Sequence, residues 1–325
     1  MITTLPQTEL QRFAADVRKG LDGSPKSLSS KYFYDDEGSR IFQEIMKLPE
    51  YYLTRCESEI FERQAADIYQ AFKNENASFD LIELGPGDGS KTALLIDHFL
   101  KQSADFTYVP IDISAEALRI LSEHFRAKFP DLIIKEKNGD YFRVLETLKE
   151  SAADRTKIVF FLGSNIGNFR KDESIEFFRR LSDAMSKDDL LFIGFDLQKD
   201  PRVILRAYDD PSGVTGSFNL NLLKRMNREL GANFAVGNFM HYASYHPTDG
   251  AARSYLISRE EQTVHIDALG EDFEFAQWEP IYMEISQKYT LGMIDELAEK
   301  SGFRVVKNFF DSKNYYTNSL WKAVR

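Results

Sequence analysis

The chain has 325 residues, a hydrophobic share of 43% and a formal net charge of −10, which suits a large domain with a smaller one. An acidic chain without a dense run of lysine or arginine is a poor candidate for binding nucleic acid or an anionic membrane. Cys56 is the single cysteine, which excludes a disulfide within the chain, and no apolar run suits a signal peptide or a membrane span. The composition therefore predicts a cytoplasmic protein.

Strand and helix patterns alternate from Phe79 onwards. The predicted strands are Phe79–Leu84, Phe106–Asp112, Leu132–Glu136, Lys157–Leu162 and Leu190–Asp196. The helices predicted between them are Lys91–Leu100, Ala115–Phe125, Tyr141–Glu150 and Asp172–Met185. Five strands joined by helices indicate an α/β fold with a mostly parallel sheet covered on both faces.

The end of the chain predicts a helix followed by a hairpin. A helical stripe begins at Leu291 and Gly302 suits its C-terminal cap, and two β-rich runs follow, Arg304–Phe310 and Tyr315–Val324. A parallel sheet that ends in a helix and two antiparallel strands is similar to the Rossmann-like sheet of class I methyltransferases.

Three parts are predicted along the chain. Residues 1–60 would form a helical and loop segment that closes the active site. Residues 61–196 and 288–325 would form the methyltransferase domain. Residues 197–287, where the regular alternation stops, would form an inserted substrate-binding lobe. A cleft between lobes is a common place for a small-molecule site.

A glycine-rich loop, LIELGPGDGSKT, follows the first predicted strand at residues 81–92. The phosphate-loop pattern G-x-x-x-x-G-K-[ST] fits at Gly85 and Lys91 but fails at Ser90, where the dinucleotide pattern G-x-G-x-x-G also fails. The pattern E/D-x-G-x-G-x-G fits throughout, with Glu83, Gly85, Gly87 and Gly89. It resembles the S-adenosylmethionine (SAM) loop of class I methyltransferases, whose glycines let the backbone approach the ligand.

Polar residues follow the later strands as well. Asp112 ends the second strand, where a carboxylate can bond both ribose hydroxyls, of SAM or equally of NAD. Asp140 and Tyr141 follow the third strand, where class I methyltransferases hold adenine. Gly163 and Asn168 lie in FLGSNIGN after the fourth, which faces the transferred methyl group in that fold. Because open α/β sheets bind ligands at this edge, we expect SAM as the cofactor.

Longer motifs resemble one family, the histidine Nα-methyltransferases of ergothioneine biosynthesis. They are SPKSLSSKYFYDDEGSRIFQEIMKLPEYYLTRCESEIF at 24–61, ELGPGDGSKT, GSNIGN, DLQKDPRVILRAYDDPSGVTGSFNLNLLKRMNREL and MEISQKY. The resemblance covers nearly the whole chain. It implies three methyl transfers from SAM to the α-amino group of L-histidine, which give the betaine hercynine.

The resemblance also implies the residues of the site. Those implied for SAM are Tyr34, Gly85, Gly87, Lys91, Asp112, Asp140, Tyr141 and Gly163. Those implied for the substrate are Tyr51, Asn168, Tyr208, Thr215, Ser254, Glu284 and Ser286. Tyr51 and Asn168 would be the catalytic pair that orients the amine, Tyr208 would help bind the carboxylate, and Glu284 and Ser286 would bind the imidazole.

The residues of IYMEISQKY support the last assignment independently. Strand periodicity places Tyr282, Glu284 and Ser286 on one face, and an acid beside a hydroxyl can bond both imidazole nitrogens. An ordinary amphipathic strand with a solvated polar face is the alternative. The histidines lie outside all these motifs without metal-ligand spacing, so no metal is expected; they are His98, His124, His241, His246 and His265.

Ser254 departs from the family, whose histidine enzymes carry a methionine against the imidazole at this place. The same reaction on another amino acid or a histidine derivative is therefore an alternative. An NAD-dependent oxidoreductase, which would share the glycine loop and Asp112, and a non-catalytic binding protein are alternatives from other classes. We expect a monomer acting on a small-molecule amino acid.

Overall fold

The computed structural model describes residues 7–73, 78–151 and 155–324. The described residues form two compact units, each assembled from separate stretches of the chain. The first unit comprises the residues up to Tyr52 together with Lys199–Ser286, and the second comprises Leu53–Gln198 together with the residues from Gln287 onwards.

Ten helices and thirteen strands lie within the described residues. The helices are α1 (Gln7–Leu21), α2 (Asp36–Lys47), α3 (Tyr52–Phe72), α4 (Thr92–Lys101), α5 (Ala115–Lys128), α6 (Tyr141–Ser151), α7 (Lys171–Ala184), α8 (Pro201–Tyr208), α9 (Val214–Leu230) and α10 (Leu291–Lys300). The strands are β1 (Ser78–Leu84), β2 (Asp105–Asp112), β3 (Ile133–Ile134), β4 (Lys137–Asn138), β5 (Thr156–Phe161), β6 (Leu190–Asp196), β7 (Phe239–His246), β8 (Ala251–Ser258), β9 (Gln262–Ile266), β10 (Glu271–Phe275), β11 (Pro280–Gln287), β12 (Phe303–Phe310) and β13 (Tyr316–Ala323).

The second unit is built on one sheet with the strand order β12-β13-β6-β5-β1-β2-β3, and β4 also pairs with β2. The strands from β6 to β4 pair in parallel, whereas β13 is antiparallel to both β6 and β12. This arrangement confirms the predicted α/β sheet with an antiparallel C-terminal hairpin. Every residue of β5 and β6 is buried, as expected for central strands covered on both faces.

The third predicted strand, Leu132–Glu136, is wrong in its extent. Only β3 and β4 pair with β2 there, and the ladder is interrupted between them. The Tyr108 carbonyl accepts from the Lys135 N–H, so the backbone groups of Tyr108 face the strand that contains β3 and β4. Because every second residue of a strand faces the same neighbour, the backbone of Pro110 faces it as well. Proline has no N–H to donate to the ladder, which accounts for the break.

Local helix signals are placed as predicted. The Ser114 hydroxyl accepts from the Ala117 N–H at 3.2 Å and caps α5. Ile294 and Leu297 form the buried stripe of α10, and Gly302 follows that helix with a φ of +83°. Within the described residues, no helix is long and apolar enough to cross a membrane.

The first unit has its own core, in which α1, α2 and α9 pack with the sheet β11-β8-β7 and the β9–β10 hairpin. Leu222, Leu256 and Ile281 are among its fully buried members. Along β11 burial alternates as expected through Glu284 and then stops, since Ile285 is half-buried and Ser286 is buried.

Candidate active site

The glycine-rich loop connects β1 to α4 at the carboxyl edge of the sheet. Gly85, Gly87 and Gly89 have φ values of +63°, +59° and +68°, a left-handed conformation that side chains other than glycine rarely adopt. All three therefore have a conformational reason to be glycine, which does not by itself identify a ligand.

The glycines of this loop differ in the space that is available for a side chain. A Cβ atom on Gly87 would meet no atom within 4 Å, so the backbone is open to an approaching ligand at this point. A Cβ atom on Gly89 would lie 2.4 Å from Leu121 and 2.6 Å from Phe125, both on α5. Gly87 is thus the ligand-facing candidate, whereas Gly89 allows the loop to pack against a helix.

Glu83, the acid that opens this motif, is buried in β1. Its carboxylate accepts from the Thr92 hydroxyl at 2.6 Å and from the Tyr108 hydroxyl at 2.5 Å. Burial outweighs these hydrogen bonds and the nearby Lys91 charge, and raises the pKa of Glu83 to about 7. Glu83 therefore supports the loop from inside the core.

Replacing Glu83 by glutamine is expected to change how stability depends on pH. A carboxyl whose pKa rises on folding contributes stability below its ordinary pKa of 4.5, and this contribution is lost as the pH rises through about 7. The free energy of unfolding of the wild type, relative to Glu83→Gln, should fall by roughly 3 kcal/mol between pH 4.5 and pH 8. Urea unfolding at both pH values measures this, and a difference independent of pH would contradict it.

Asp112, Asp140 and Tyr141 lie at the ends of β2 and β4. The Asp112 carboxylate accepts from the Ser114 N–H at 2.8 Å, and burial raises the pKa of this carboxyl above its ordinary value. Asp140 is exposed and accepts from the Phe142 N–H at 3.1 Å, so it also caps α6. The pKa of Tyr141 is raised to about 12, mainly by burial and further by the two carboxylates. These three predicted SAM residues therefore lie near one another.

Lys91 and Gly163 lie together although they follow different strands. A Cβ atom on Gly163 would lie 3.4 Å from the Lys91 Nζ, and Gly163 has a φ of +76°. Lys91 forms an ion pair with Glu57, whose carboxylate also accepts from the Gly163 N–H. Asn168 ends a short 3₁₀ helix a few residues further on and is exposed.

Tyr34 lies in the first unit, among residues predicted for the substrate. Tyr34 is 49% exposed, and its ring contacts the rings of Phe42 and Phe218, with 5.5 Å between ring centroids in each case. The pKa of Tyr34 is raised well above its ordinary value by the surrounding protein, and then by Glu284, Tyr51 and Tyr208. Tyr34 therefore lies near three residues that are predicted to bind the substrate.

Tyr208 and Ser286 contact each other directly. The Tyr208 hydroxyl donates to the Ser286 Oγ at 2.7 Å, and the Tyr208 carbonyl accepts from the His241 Nε2 at 2.9 Å. Sequence reasoning placed His241 outside the motifs, whereas the structure places it behind a predicted substrate residue. The residues next to His241 in the sequence do not indicate this contact, because its partner lies 33 positions away on α8.

Thr215 and Ser254 are buried members of the same unit. The Thr215 N–H donates to the Asp210 carboxylate at 2.8 Å, at the start of α9. Hydrogen bonds from Ser212, Val214 and Thr215 outweigh burial and lower the pKa of Asp210 to about 2. Ser254 is 2% exposed and pairs with Ala243 across β7 and β8.

The predicted site residues thus form two groups. Gly85, Gly87, Lys91, Asp112, Asp140, Tyr141, Gly163 and Asn168 belong to the second unit, and Tyr34, Tyr51, Tyr208, Thr215, Ser254, Glu284 and Ser286 belong to the first. Glu57, which contacts two of the predicted SAM residues, was missed by sequence reasoning. Across residues 7–73, 78–151 and 155–324, no three His, Cys, Asp or Glu side chains are grouped so that they could hold a metal ion.

Known proteins match the chain over almost all of its length. The family described as histidine-specific, SAM-dependent methyltransferases matches residues 13–323. A histidine N-alpha-methyltransferase from Mycolicibacterium smegmatis is 37% identical, covering 95% of this chain and 94% of that protein. One of the same name from Mycobacterium tuberculosis is 36% identical, covering 94% and 93%. Ergothioneine biosynthesis protein 1 from Schizosaccharomyces pombe is 29% identical, covering 87% of this chain and 37% of that protein.

Proposed function

Because the chain belongs to the family of histidine-specific, SAM-dependent methyltransferases, we propose that it methylates the α-amino group of L-histidine. The observation that carries the choice of acceptor is the nearly full-length similarity to two proteins named histidine N-alpha-methyltransferase. The family match also favours SAM over NAD as the ligand of the glycine loop.

The chemistry requires position more than reactive side chains. The sulfonium of SAM is already an activated methyl donor, so the amine lone pair has to be held in line with the methyl carbon. The amine must be neutral when it attacks, and removal from bulk water lowers its pKa. Tyr51 and Asn168 are the residues that we assign to orienting this nitrogen, and Tyr51 or a water would relay the proton.

Glu284, Ser286 and Tyr208 are the residues that we assign to the imidazole and carboxylate of the substrate. A neutral imidazole has one N–H donor and one acceptor nitrogen. Glu284 would accept from the N–H. The Ser286 hydroxyl, which accepts from the Tyr208 hydroxyl at 2.7 Å, would bond the other nitrogen. This pairing favours a side chain with a donor and an acceptor, as histidine has.

Three successive transfers would give a quaternary ammonium product. Aromatic faces bind such cations well, and the rings of Tyr34, Phe42 and Tyr51 follow one another at 5.5 and 6.2 Å. We therefore propose trimethylation to hercynine, as part of ergothioneine biosynthesis, with Tyr34 and Tyr51 as the aromatic residues that would face the ammonium.

Incubation with SAM and the twenty amino acids, followed by mass spectrometry, tests the proposal. We expect histidine alone to gain mass, by three methyl groups, with intermediate products at early times. Absence of any methylated amino acid would overturn the proposed function. A thermal-shift comparison in which NAD rather than SAM raises the melting temperature would favour the oxidoreductase alternative.

Ser254 is the observation that supports a second acceptor. Its small side chain is buried in β8, where the histidine enzymes are expected to carry methionine, so the acceptor pocket would differ in shape. Methylation of another amino acid or of a histidine derivative in preference to histidine would establish this alternative.

A further inference from the structure

Glu57 is a carboxylate enclosed in the second unit, on α3, with 0% of its surface exposed. Four donors from three separate parts of this unit surround it. The Gly163 N–H lies 3.1 and 3.2 Å from its two oxygens, the Tyr316 hydroxyl lies 3.0 Å away and the Asn318 Nδ2 lies 2.9 Å away. Lys91 completes the set as an ion pair.

Burying this carboxylate costs desolvation free energy, so its presence calls for an explanation other than stable packing. Removing a carboxylate and an ammonium from water is expensive, and a buried ion pair is often no more stabilising than apolar residues of similar volume. The pair is not sealed on both sides, however. The Lys91 side chain keeps 22% of its surface exposed, whereas the Glu57 side chain is fully buried.

Glu57 joins two loops that sequence reasoning assigned to SAM. Lys91 follows β1 and Gly163 follows β5, and these strands are parallel neighbours in the sheet. Glu57 is bonded to both residues, and through Tyr316 and Asn318 it is bonded to β13 as well. One carboxylate therefore bridges the two loops.

Gly194 shows independently that the sheet leaves space for this cluster. A Cβ atom on Gly194, in β6, would lie 2.1 Å from the Tyr316 hydroxyl and 2.5 Å from the Glu57 Oε1. The backbone there is not in the left-handed region, so the reason for glycine is the space that the Tyr316–Glu57 hydrogen bond occupies.

We propose that Glu57 is a positioning residue for the methyl donor, which holds the Lys91 ammonium and the Gly163 turn in the geometry that binds SAM. The Lys91 ammonium, already paired with Glu57, would bind the carboxylate that the methionine part of SAM supplies. Because Glu57 is fully buried, it would act through Lys91 and Gly163 rather than on the ligand directly. This inference rests on the proposed function, because it concerns how the SAM of that reaction is held.

The variant Glu57→Gln tests it, because glutamine keeps the size but turns an amide towards one or more of the surrounding donors. We expect the Kd of SAM, measured by titration calorimetry, and the KM for SAM to rise about tenfold or more. The KM for histidine at saturating SAM should stay within about twofold of the wild type. A variant that is merely less stable would not raise the KM for SAM while leaving the KM for histidine unchanged.

Asp189→Asn is the matched control. Asp189 is a buried carboxylate that pairs with Lys157 at 3.8 Å, next to the amino end of β5, and accepts from the Lys157 and Ser186 N–H groups. Its amide variant should lower the melting temperature and leave the Kd of SAM unchanged. An equal loss of SAM affinity in both variants would overturn the proposal, as would unchanged affinity in Glu57→Gln.

Two further measurements keep the test decisive. Tyr316→Phe removes one donor to Glu57 and should fold even if Glu57→Gln does not; we expect a rise of about threefold in the Kd of SAM, and no rise would overturn the proposal. When Lys91 is already replaced by methionine, the additional change Glu57→Gln should raise the Kd of SAM by less than about threefold. If the effects of the two substitutions on the binding free energy of SAM were fully additive, Glu57 would not act through Lys91, and the proposal would be overturned. If the unmodified chain did not bind SAM, the proposed function would fall first, and this inference with it.

Discussion

Replacing Glu284 by alanine is expected to lower kcat/KM for histidine by roughly 30- to 150-fold while the Kd of SAM stays unchanged. A hydrogen bond to a charged group contributes about 2–3 kcal/mol, and each 1.4 kcal/mol corresponds to about a tenfold change. Glu284 is half-buried and lies near Tyr34, so its carboxylate would be hard to replace with water. Steady-state kinetics and calorimetric titration with SAM measure the two effects.

The matched control for this prediction is Glu284→Gln. It keeps the size and one acceptor oxygen but removes the charge, so its loss should lie between those of the wild type and the alanine variant. A variant that binds SAM poorly would contradict the assignment, since it would place Glu284 in the cofactor site. Equal turnover of histidine by wild type and Glu284→Ala would contradict it as well.

Replacing Gly89 by alanine is expected to lower the free energy of unfolding by roughly 2–5 kcal/mol. A residue with a Cβ atom is strained by about 1–2 kcal/mol in the left-handed conformation, and overpacking adds about 1–3 kcal/mol. The overlap is severe here, since Leu121 and Phe125 would lie within 3 Å of the new atom and both are buried on α5. Urea unfolding followed by circular dichroism measures the loss.

Gly87→Ala provides the comparison, because its backbone has nearly the same φ while its surroundings are empty. Its stability should fall by only about 1 kcal/mol, and its Kd for SAM should rise roughly tenfold because the new methyl group occupies ligand space. Equal destabilisation by the two substitutions would show that conformation alone, rather than packing against α5, explains Gly89.

Much of the fold could be predicted from local patterns. The buried strand β6 and the second half of β5 are continuous apolar runs, and the caps at Ser114 and Gly302 are chemical signals within a few residues. The third strand was predicted too long because the effect of Pro110 acts on the neighbouring strand, which the pattern of residues 132–136 does not contain.

The sequence predicted the residues of the site, but it did not predict the contacts that they make. Asp140 was assigned to adenine, and the structure adds that its carboxylate caps α6. Tyr34 was assigned to SAM and lies in the unit that contains Tyr51, Tyr208 and Glu284. Its role in binding stays a prediction, as do the roles of the other site residues.

The amino-acid sequence by itself determined the α/β class, the glycine-rich loop and the family, because apolar periodicity, turn residues and long motifs are properties of neighbouring residues. Only the tertiary structure distinguished Gly87 from Gly89, since the two share one conformation and differ in where a Cβ atom would point. Only it gave Glu57 its partners, of which Asn318 is 261 positions away in the chain. A glutamate on a helix face with Leu53 and Phe61 indicates a buried charge, but the groups that satisfy it are brought together by the sheet.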